Sequence, residues 1–244
     1  MMWTDVADLK NFYDSNLGKM ACSLIQRQVR HLWPNLSREH VLGLGYPIPY
    51  LAHFIEEAYR VTAAMPASQG TIKWPLHKPN LATLVNELEM PFSDNTIDKV
   101  LLVHGAEFSQ QIRPFLREIW RILKSSGHVI IVVPNRRGLW ARFEHTPFGR
   151  GLPYSAGQLS KLLQANMFTP TNTRWAICFP PVRSQLILSA APTIEKISSS
   201  VLSNFAGVII VEAVKQIYAG QPLSTSQQRQ SILAVPHRSK NSLT

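Results

Sequence analysis

The stretch from Arg38 to Arg60 most constrains what this chain can fold into. His40-Val41-Leu42 predicts a short buried strand, because a brief apolar run bounded by turn residues packs inside a sheet. Gly43-Leu44-Gly45-Tyr46-Pro47-Ile48-Pro49 reads as a turn. Tyr50 to Ala58 then predicts an amphipathic helix with Leu51, Phe54, Ile55 and Ala58 on one face. Pro49 suits its first position, where a missing N–H loses no bond. Strand, glycine turn and helix in this order make the opening unit of a nucleotide-type α/β fold.

The rest of the chain continues the alternation. Apolar residues at spacings of three to five predict a helical N-terminal segment from Asp5 to Trp33, broken at Gly18 and ended by Pro34. Further strands are expected at Arg60 to Ala64, Leu81 to Val85, Ile97 to Val103, His128 to Val133, Thr173 to Phe179 and Gly207 to Tyr218. Helices are expected at Ile112 to Lys124, stopped by Ser125-Ser126-Gly127, at Ser155 to Asn166 with Ser155 as N-cap, and at Ile194 to Leu202. Pro66, Pro75 and Pro79 forbid a long helix between Met65 and Leu81, so Trp74-Pro75 reads as an ordered loop or lid. The expected architecture is α/β, a three-layer sandwich around a mostly parallel sheet. Residues 1–37 read as a helical extension, 38–219 as the main domain, and 220–244, rich in Ser and Gln, as a disordered tail.

Composition narrows the function classes. A chain of 244 residues with 45% hydrophobic residues can bury a sizeable core. No apolar run reaches the ~18 residues of a membrane span. Asp5, Asp8 and Lys10 interrupt any secretory pattern. Cys22 and Cys178 offer neither a disulfide framework nor metal-ligand spacing, which suits a reducing cytoplasm. The eight histidines are scattered, so no metal is expected, and there is no Gly-x-Ser-x-Gly elbow for a serine hydrolase. The net charge of +10 would suit nucleic acid, an anionic membrane or an anionic ligand. Its even spread favours a basic cytoplasmic enzyme acting on a small molecule over a nucleic-acid partner.

Three blocks carry a family resemblance. They are Val41-Leu42-Gly43-Leu44-Gly45, then Met90-Pro91-Phe92-Ser93-Asp94-Asn95-Thr96-Ile97-Asp98 running into Val100 to Val103 and His104-Gly105-Ala106-Glu107-Phe108, then Leu116 to Lys124 with Gly127 and Val129 to Asn135. With these the chain resembles the class I, Rossmann-like methyltransferases that use S-adenosylmethionine, in particular the type 11 methyltransferase domain, over about residues 38 to 135. The resemblance implies a seven-stranded sheet of order 3-2-1-4-5-7-6 with strand 7 antiparallel. It also implies a cofactor across the carboxyl ends of strands 1 and 4, lined by Gly43, Gly45, Tyr46, Met65, Asn86, Glu87 and His104.

The family motif is altered at several of these positions. Gly43 stands where the family keeps an acidic residue, and Pro47 and Pro49 replace two glycines. Proline fixes φ and removes a donor, so the loop must take another shape. An acidic residue about 20 positions past the turn usually holds the ribose; here that position is Met65, with no carboxylate between Arg60 and Asn80. Asn86 replaces the residue that meets the adenine amino group, with Glu87 beside it. Losing one charge-assisted contact of ~1.5–3 kcal/mol weakens binding by roughly one to two decades.

Two readings therefore stand: an S-adenosylmethionine-dependent methyltransferase acting on a small molecule, or a methyltransferase-like fold that has lost catalysis and binds or regulates a partner. The individual residues carry paired readings too. Gly43 and Gly45 allow either close approach to a cofactor or a tight turn. Tyr46 could contact the ligand or plug its pocket. His104 could be a general base or a hydrogen-bonded core residue. Glu107 could face substrate or favour a helix N-terminus. Arg136, Arg137, Arg142 and Arg150, interleaved with Trp140, Phe143 and Tyr154, could bind an anionic substrate near residues 136 to 154 or form a solvated loop.

Overall fold

The computed structural model describes residues 4–182 and 205–217. Its elements are α1 (Val6–Asp14), α2 (Asn16–Leu32), β1 (His40–Gly45), α3 (Ile48–Leu51), β2 (Arg60–Pro66), β3 (Ala82–Val85), β4 (Ile97–Val103), α4 (Ile112–Ile122), β5 (Leu123–Pro134), α5 (Ala156–Gln164), β6 (Phe168–Ala176) and β7 (Val208–Lys215). The seven strands form one sheet in the order β3-β2-β1-β4-β5-β7-β6. All neighbours run parallel except β7, which is antiparallel to both β5 and β6. This is the sheet that the family resemblance implies.

Alternating side chains of the central strands feed two cores. Leu101, Val103, Ile130 and Val132 face α1, α2 and α3 on one side. Leu102, Val129 and Ile131 face α4 and α5 on the other. The N-terminal helices share the first core: Leu9, Leu24, Ile25 and Val29 are buried with the sheet. Among the described residues no helix is long and apolar enough to cross a membrane.

Several local expectations are corrected. The N-terminal helices part at Ser15, not Gly18. The Ser15 hydroxyl accepts from the Gly18 N–H and caps α2. Gly18 lies inside α2, where a Cβ would stand 2.0 Å from the Phe12 carbonyl oxygen, so the position requires glycine. The helix expected over Tyr50 to Ala58 is one turn, Ile48–Leu51, followed by a run of turns. Tertiary contacts override helical periodicity here: Phe54 is drawn into the core, and the Glu57 carboxylate reaches away to the Leu36 N–H and Arg30. The strand expected at His128 starts at Leu123, so Ser125-Ser126-Gly127 lies within β5 rather than ending a helix. The sixth strand begins at Phe168 rather than Thr173. Ser155 caps α5 as expected, with Gln158 completing a capping box. The helix expected at Ile194 to Leu202 and the tail from residue 220 lie outside the described residues.

Candidate functional site

In open α/β sheets, ligands bind at the carboxyl ends of the strands where the strand order reverses. Here that place lies between β1, β2 and β4. Gly45 ends β1 with φ of 80°. This left-handed turn lets the Tyr46 N–H donate to the Val103 carbonyl at 2.7 Å. A Cβ at Gly45 would lie 2.1 Å from that same oxygen, so glycine is required by the approach of β1 to β4. Gly43 lies below it. The Pro47 ring occupies the space of its missing side chain, at 2.5 Å. The prolines thus fold the turn back over β1.

Four of the residues singled out from sequence, Gly45, Tyr46, Met65 and His104, come together at these strand ends. Tyr46 is buried and stacks on Tyr13 of α1, with ring centroids 5.7 Å apart. Met65 is fully buried, and its sulfur accepts from the Thr71 hydroxyl at 3.4 Å. Asn86 and Glu87 line a separate groove of about 500 Å³ with Ala67, Ser68 and Gln110. Partial burial raises the Glu87 carboxyl, while Asn86 Oδ1 accepts from the Leu88 N–H.

His104 follows β4 with φ of 52° and is fully buried. It stands in a chain of hydrogen bonds. Tyr50 Oη lies 2.8 Å from Tyr13 Oη, and Tyr13 Oη lies 2.8 Å from His104 Nε2. His104 Nδ1 lies 3.1 Å from Glu107 Oε1. Burial raises both tyrosine hydroxyls well above their ordinary range, so both are neutral donors. The assignment that satisfies every member runs one way: Tyr50 donates to Tyr13, Tyr13 to Nε2, and Nδ1–H to the Glu107 carboxylate.

Around this chain lie polar atoms with no partner among the described residues. Gln69 is 1% exposed; its Nε2 donates to the His104 carbonyl at 3.3 Å, but its Oε1 has no donor. Glu107 Oε2 and Ser109 Oγ are likewise buried and unpartnered. Most buried polar atoms are hydrogen-bonded, so three such atoms on residues bonded to His104 or close to it in sequence stand out. Tyr13, Tyr50 and Gln69 went unrecognised in the sequence. Tyr13 reads there as part of an apolar helix face, Tyr50 as the start of a helix outside its apolar face, and Gln69 sits among prolines with no pattern to single it out.

The basic loop folds over the same end. Its Trp140 and Phe148 are buried, and Phe148 packs on His104 with centroids 4.8 Å apart. Arg150 bonds Asp8 of α1 at 3.2 Å. A pocket of about 230 Å³ opens between the loop and α1, lined among others by Thr4, Asp8, Phe12, His145 and Arg150. Thr4 is 4% exposed, and its hydroxyl has no partner among the described residues. Among the described residues no group of three or more His, Cys, Asp or Glu side chains is placed to hold a metal.

Residues 41–131 match the family model described as a methyltransferase domain. The solved structures agree along most of the chain. The fold is that of the Rossmann-like, S-adenosylmethionine-dependent methyltransferases. One similar structure is a methyltransferase from Thermotoga maritima, with 15% identity, covering 86% of this chain and 95% of that one at a TM-score of 0.61. Another is the 1,6-didemethyltoxoflavin-N1-methyltransferase of Burkholderia thailandensis, solved with bound 1,6-didemethyltoxoflavin and S-adenosylhomocysteine. It has 16% identity and covers 83% of this chain and 79% of that one at 0.51. At such identities the likeness concerns the fold. A curated relative, an uncharacterised protein of Methanocaldococcus jannaschii, is 29% identical over 138 residues, which is 54% of this chain and 60% of that protein. The methyltransferase fold therefore frames the site, and its own side chains must argue the chemistry.

Proposed function

We propose that the chain is an S-adenosylmethionine-dependent methyltransferase with a small-molecule acceptor. The observation that carries this is the cluster of unpartnered acceptors at the strand ends, Gln69 Oε1 and Glu107 Oε2, with Ser109 Oγ beside them. Met65 lacks a carboxylate, but these oxygens suit the hydroxyls of a ribose. Asn86, Glu87 and Ser68 would hold the adenine end in their groove. When bound, S-adenosylmethionine supplies an electrophilic methyl group.

The chain's own residues do the rest. Tyr13 and Tyr46 fill the region beside Gly45, so α1 must withdraw before a ligand reaches the buried oxygens. Withdrawal takes the Tyr13 hydroxyl from His104 and leaves Nε2 free to accept a proton from the acceptor. Glu107 holds the other ring nitrogen and fixes the imidazole's orientation. The basic loop's face of the pocket, with His145 and Arg150, would meet the small acceptor once α1 has withdrawn. Phe148 of that loop packs on His104. Orientation of donor and acceptor would be the main source of rate.

The filling by Tyr13, Tyr46 and Met65 also favours a second reading, in which α1 is a permanent plug and the fold serves binding or regulation. Isothermal calorimetry with S-adenosylmethionine and S-adenosylhomocysteine separates the two. Methyl transfer requires binding that Gln69→Leu weakens by about tenfold. The absence of heat at millimolar ligand would sink it.

A further inference from the structure

The basic loop has an inner and an outer side. On the inner side Trp140 is buried, its indole N–H donates to the Phe179 carbonyl at 2.7 Å, and its ring takes the space beside Gly207. This anchors the single turn Trp140–Arg142. Leu139 and Phe143 flank that turn, one residue before it and one after, and stay out of the core at 43% and 39% exposure. Phe205 joins them from another part of the chain. The carbonyl of the next residue, Ala206, accepts from Asn135 Nδ2 and lies 2.3 Å from where a Gly138 Cβ would be. That sets Phe205, 61% exposed, beside the Gly138–Leu139 corner.

Nine large apolar side chains are exposed among the described residues, and four of them, these three and Leu152, lie on this loop or against it. Scattered exposed apolar side chains are ordinary, but several together mark a contact surface. Around them stand Arg136, Arg137 and Arg142, all exposed, with no ion pair or side-chain hydrogen bond among the described residues. Glu144 is the one acid between residues 136 and 154. Unpaired guanidiniums favour an anionic partner, and exposed Leu and Phe an apolar one. A nucleic-acid strand supplies phosphates but no apolar layer for Leu139 and Phe205. An acidic protein could match the face only through a complementary shape. An anionic bilayer supplies both layers and conforms to the face as it stands: phosphates at the level of the arginines, and acyl chains within reach of the apolar side chains.

We propose that this face, Leu139, Phe143 and Phe205 ringed by Arg136, Arg137 and Arg142, docks the protein on an anionic phospholipid bilayer without spanning it. The docking does not depend on the methyl-transfer reading. The same loop packs Phe148 on His104, so a docked protein would hold its strand-end site close to the lipid surface.

The test is co-flotation of the full chain with vesicles of phosphatidylcholine containing about 30% phosphatidylglycerol, against vesicles of phosphatidylcholine alone. Binding to the anionic vesicles should be at least about tenfold tighter, and should weaken as salt rises from about 0.1 to about 0.5 M. The Leu139→Ser/Phe143→Ser variant and the Arg136→Ala/Arg137→Ala/Arg142→Ala variant should each lose about tenfold or more, with the circular dichroism spectrum and melting temperature retained. Arg27→Ala/Arg174→Ala removes two charges from the groove between α2 and β6 and should change binding little. That control separates this face from general attraction to a chain of net charge +10. Phe143→Trp should add an emission that brominated lipid quenches, a readout that needs no loss of binding. No binding at about 1 mM lipid, equal binding to both vesicles, unchanged binding of either folded loop variant, an equal loss in the Arg27→Ala/Arg174→Ala control, or an unquenched Phe143→Trp overturns the proposal.

Discussion

The hydroxyl of Tyr13, on the N-terminal helix, lies 2.8 Å from Nε2 of His104 at the end of β4, and both side chains are buried. This bond ties the helix to the place where the fold binds its ligands. It also makes Tyr13 the middle member of a chain in which each group donates to the next.

Tyr13→Phe leaves the Tyr50 hydroxyl without an acceptor and His104 Nε2 without a donor. The expected cost is about 1–3 kcal/mol, read from urea denaturation. Tyr50→Phe removes only the first donor of the chain and should cost less. In the double variant the losses should not add, because the second change removes a group the first has already stranded. Additive losses would mean that the hydroxyls do not form one network.

The direction of the chain is itself measurable. In the neutral imidazole of His104 the proton should sit on Nδ1, with Nε2 as acceptor, as read from ¹⁵N chemical shifts. Glu107→Gln replaces a pure acceptor with a group that can donate. Its Oε1 can still accept from Nδ1–H, so the Nδ1–H tautomer should be kept, whereas Glu107→Leu removes the acceptor and should release it. An Nε2–H tautomer in the unaltered protein would contradict the assignment.

Gly45→Ala should destabilise the protein on the order of 3 kcal/mol, from positive φ and from collision with the Val103 carbonyl. The effect should appear in the melting temperature with no ligand present. Substitution at Gly45 therefore reports on the β1–β4 approach before it reports on a cofactor, and Gln69→Leu is the cleaner probe of binding.

A separate network sets an acid limit. Burial alone would raise the Glu212 carboxyl, but hydrogen bonds from His128, Asn172 and Trp33 outweigh it and hold the group at about 2. A depressed carboxyl stabilises the fold above its unfolded value of 4.5 and loses that contribution as pH falls toward 2. The span corresponds to about 3 kcal/mol. Glu212→Gln should lower stability near neutral pH and flatten the loss between pH 4.5 and 2. An unaltered acid limb in urea titrations would refute this account.

The sheet was largely legible in the sequence because its central strands are brief β-branched runs such as Val129 to Val133, buried on both faces. The glycine turn was legible as well, but not its cause: only the structure reveals that Gly43 makes room for Pro47 and Gly45 for the Val103 carbonyl. The segment after Leu51 was misread because Phe54 and Glu57 answer to distant partners rather than to their neighbours. His104 could be singled out by its place after β4. Tyr13 could not, because a tyrosine on an apolar helix face looks the same whether its hydroxyl meets solvent, backbone or a buried imidazole. Gln69 carries no local signal at all, since lacking a partner is a property of the assembled interior.

The position of β7 has a consequence for how the chain is made. It is antiparallel between β5 and β6, so among the described residues β6 has no neighbour in the sheet until residues 208–215 exist. During synthesis at about 5–20 residues per second, Phe168 must wait seconds for Lys215. Through that interval β6 and the outer edge of β5 remain open to stray pairing. A ribosome stalled shortly before residue 208 would hold a nascent chain whose sheet cannot yet be sealed, and that is where chaperone engagement should be sought.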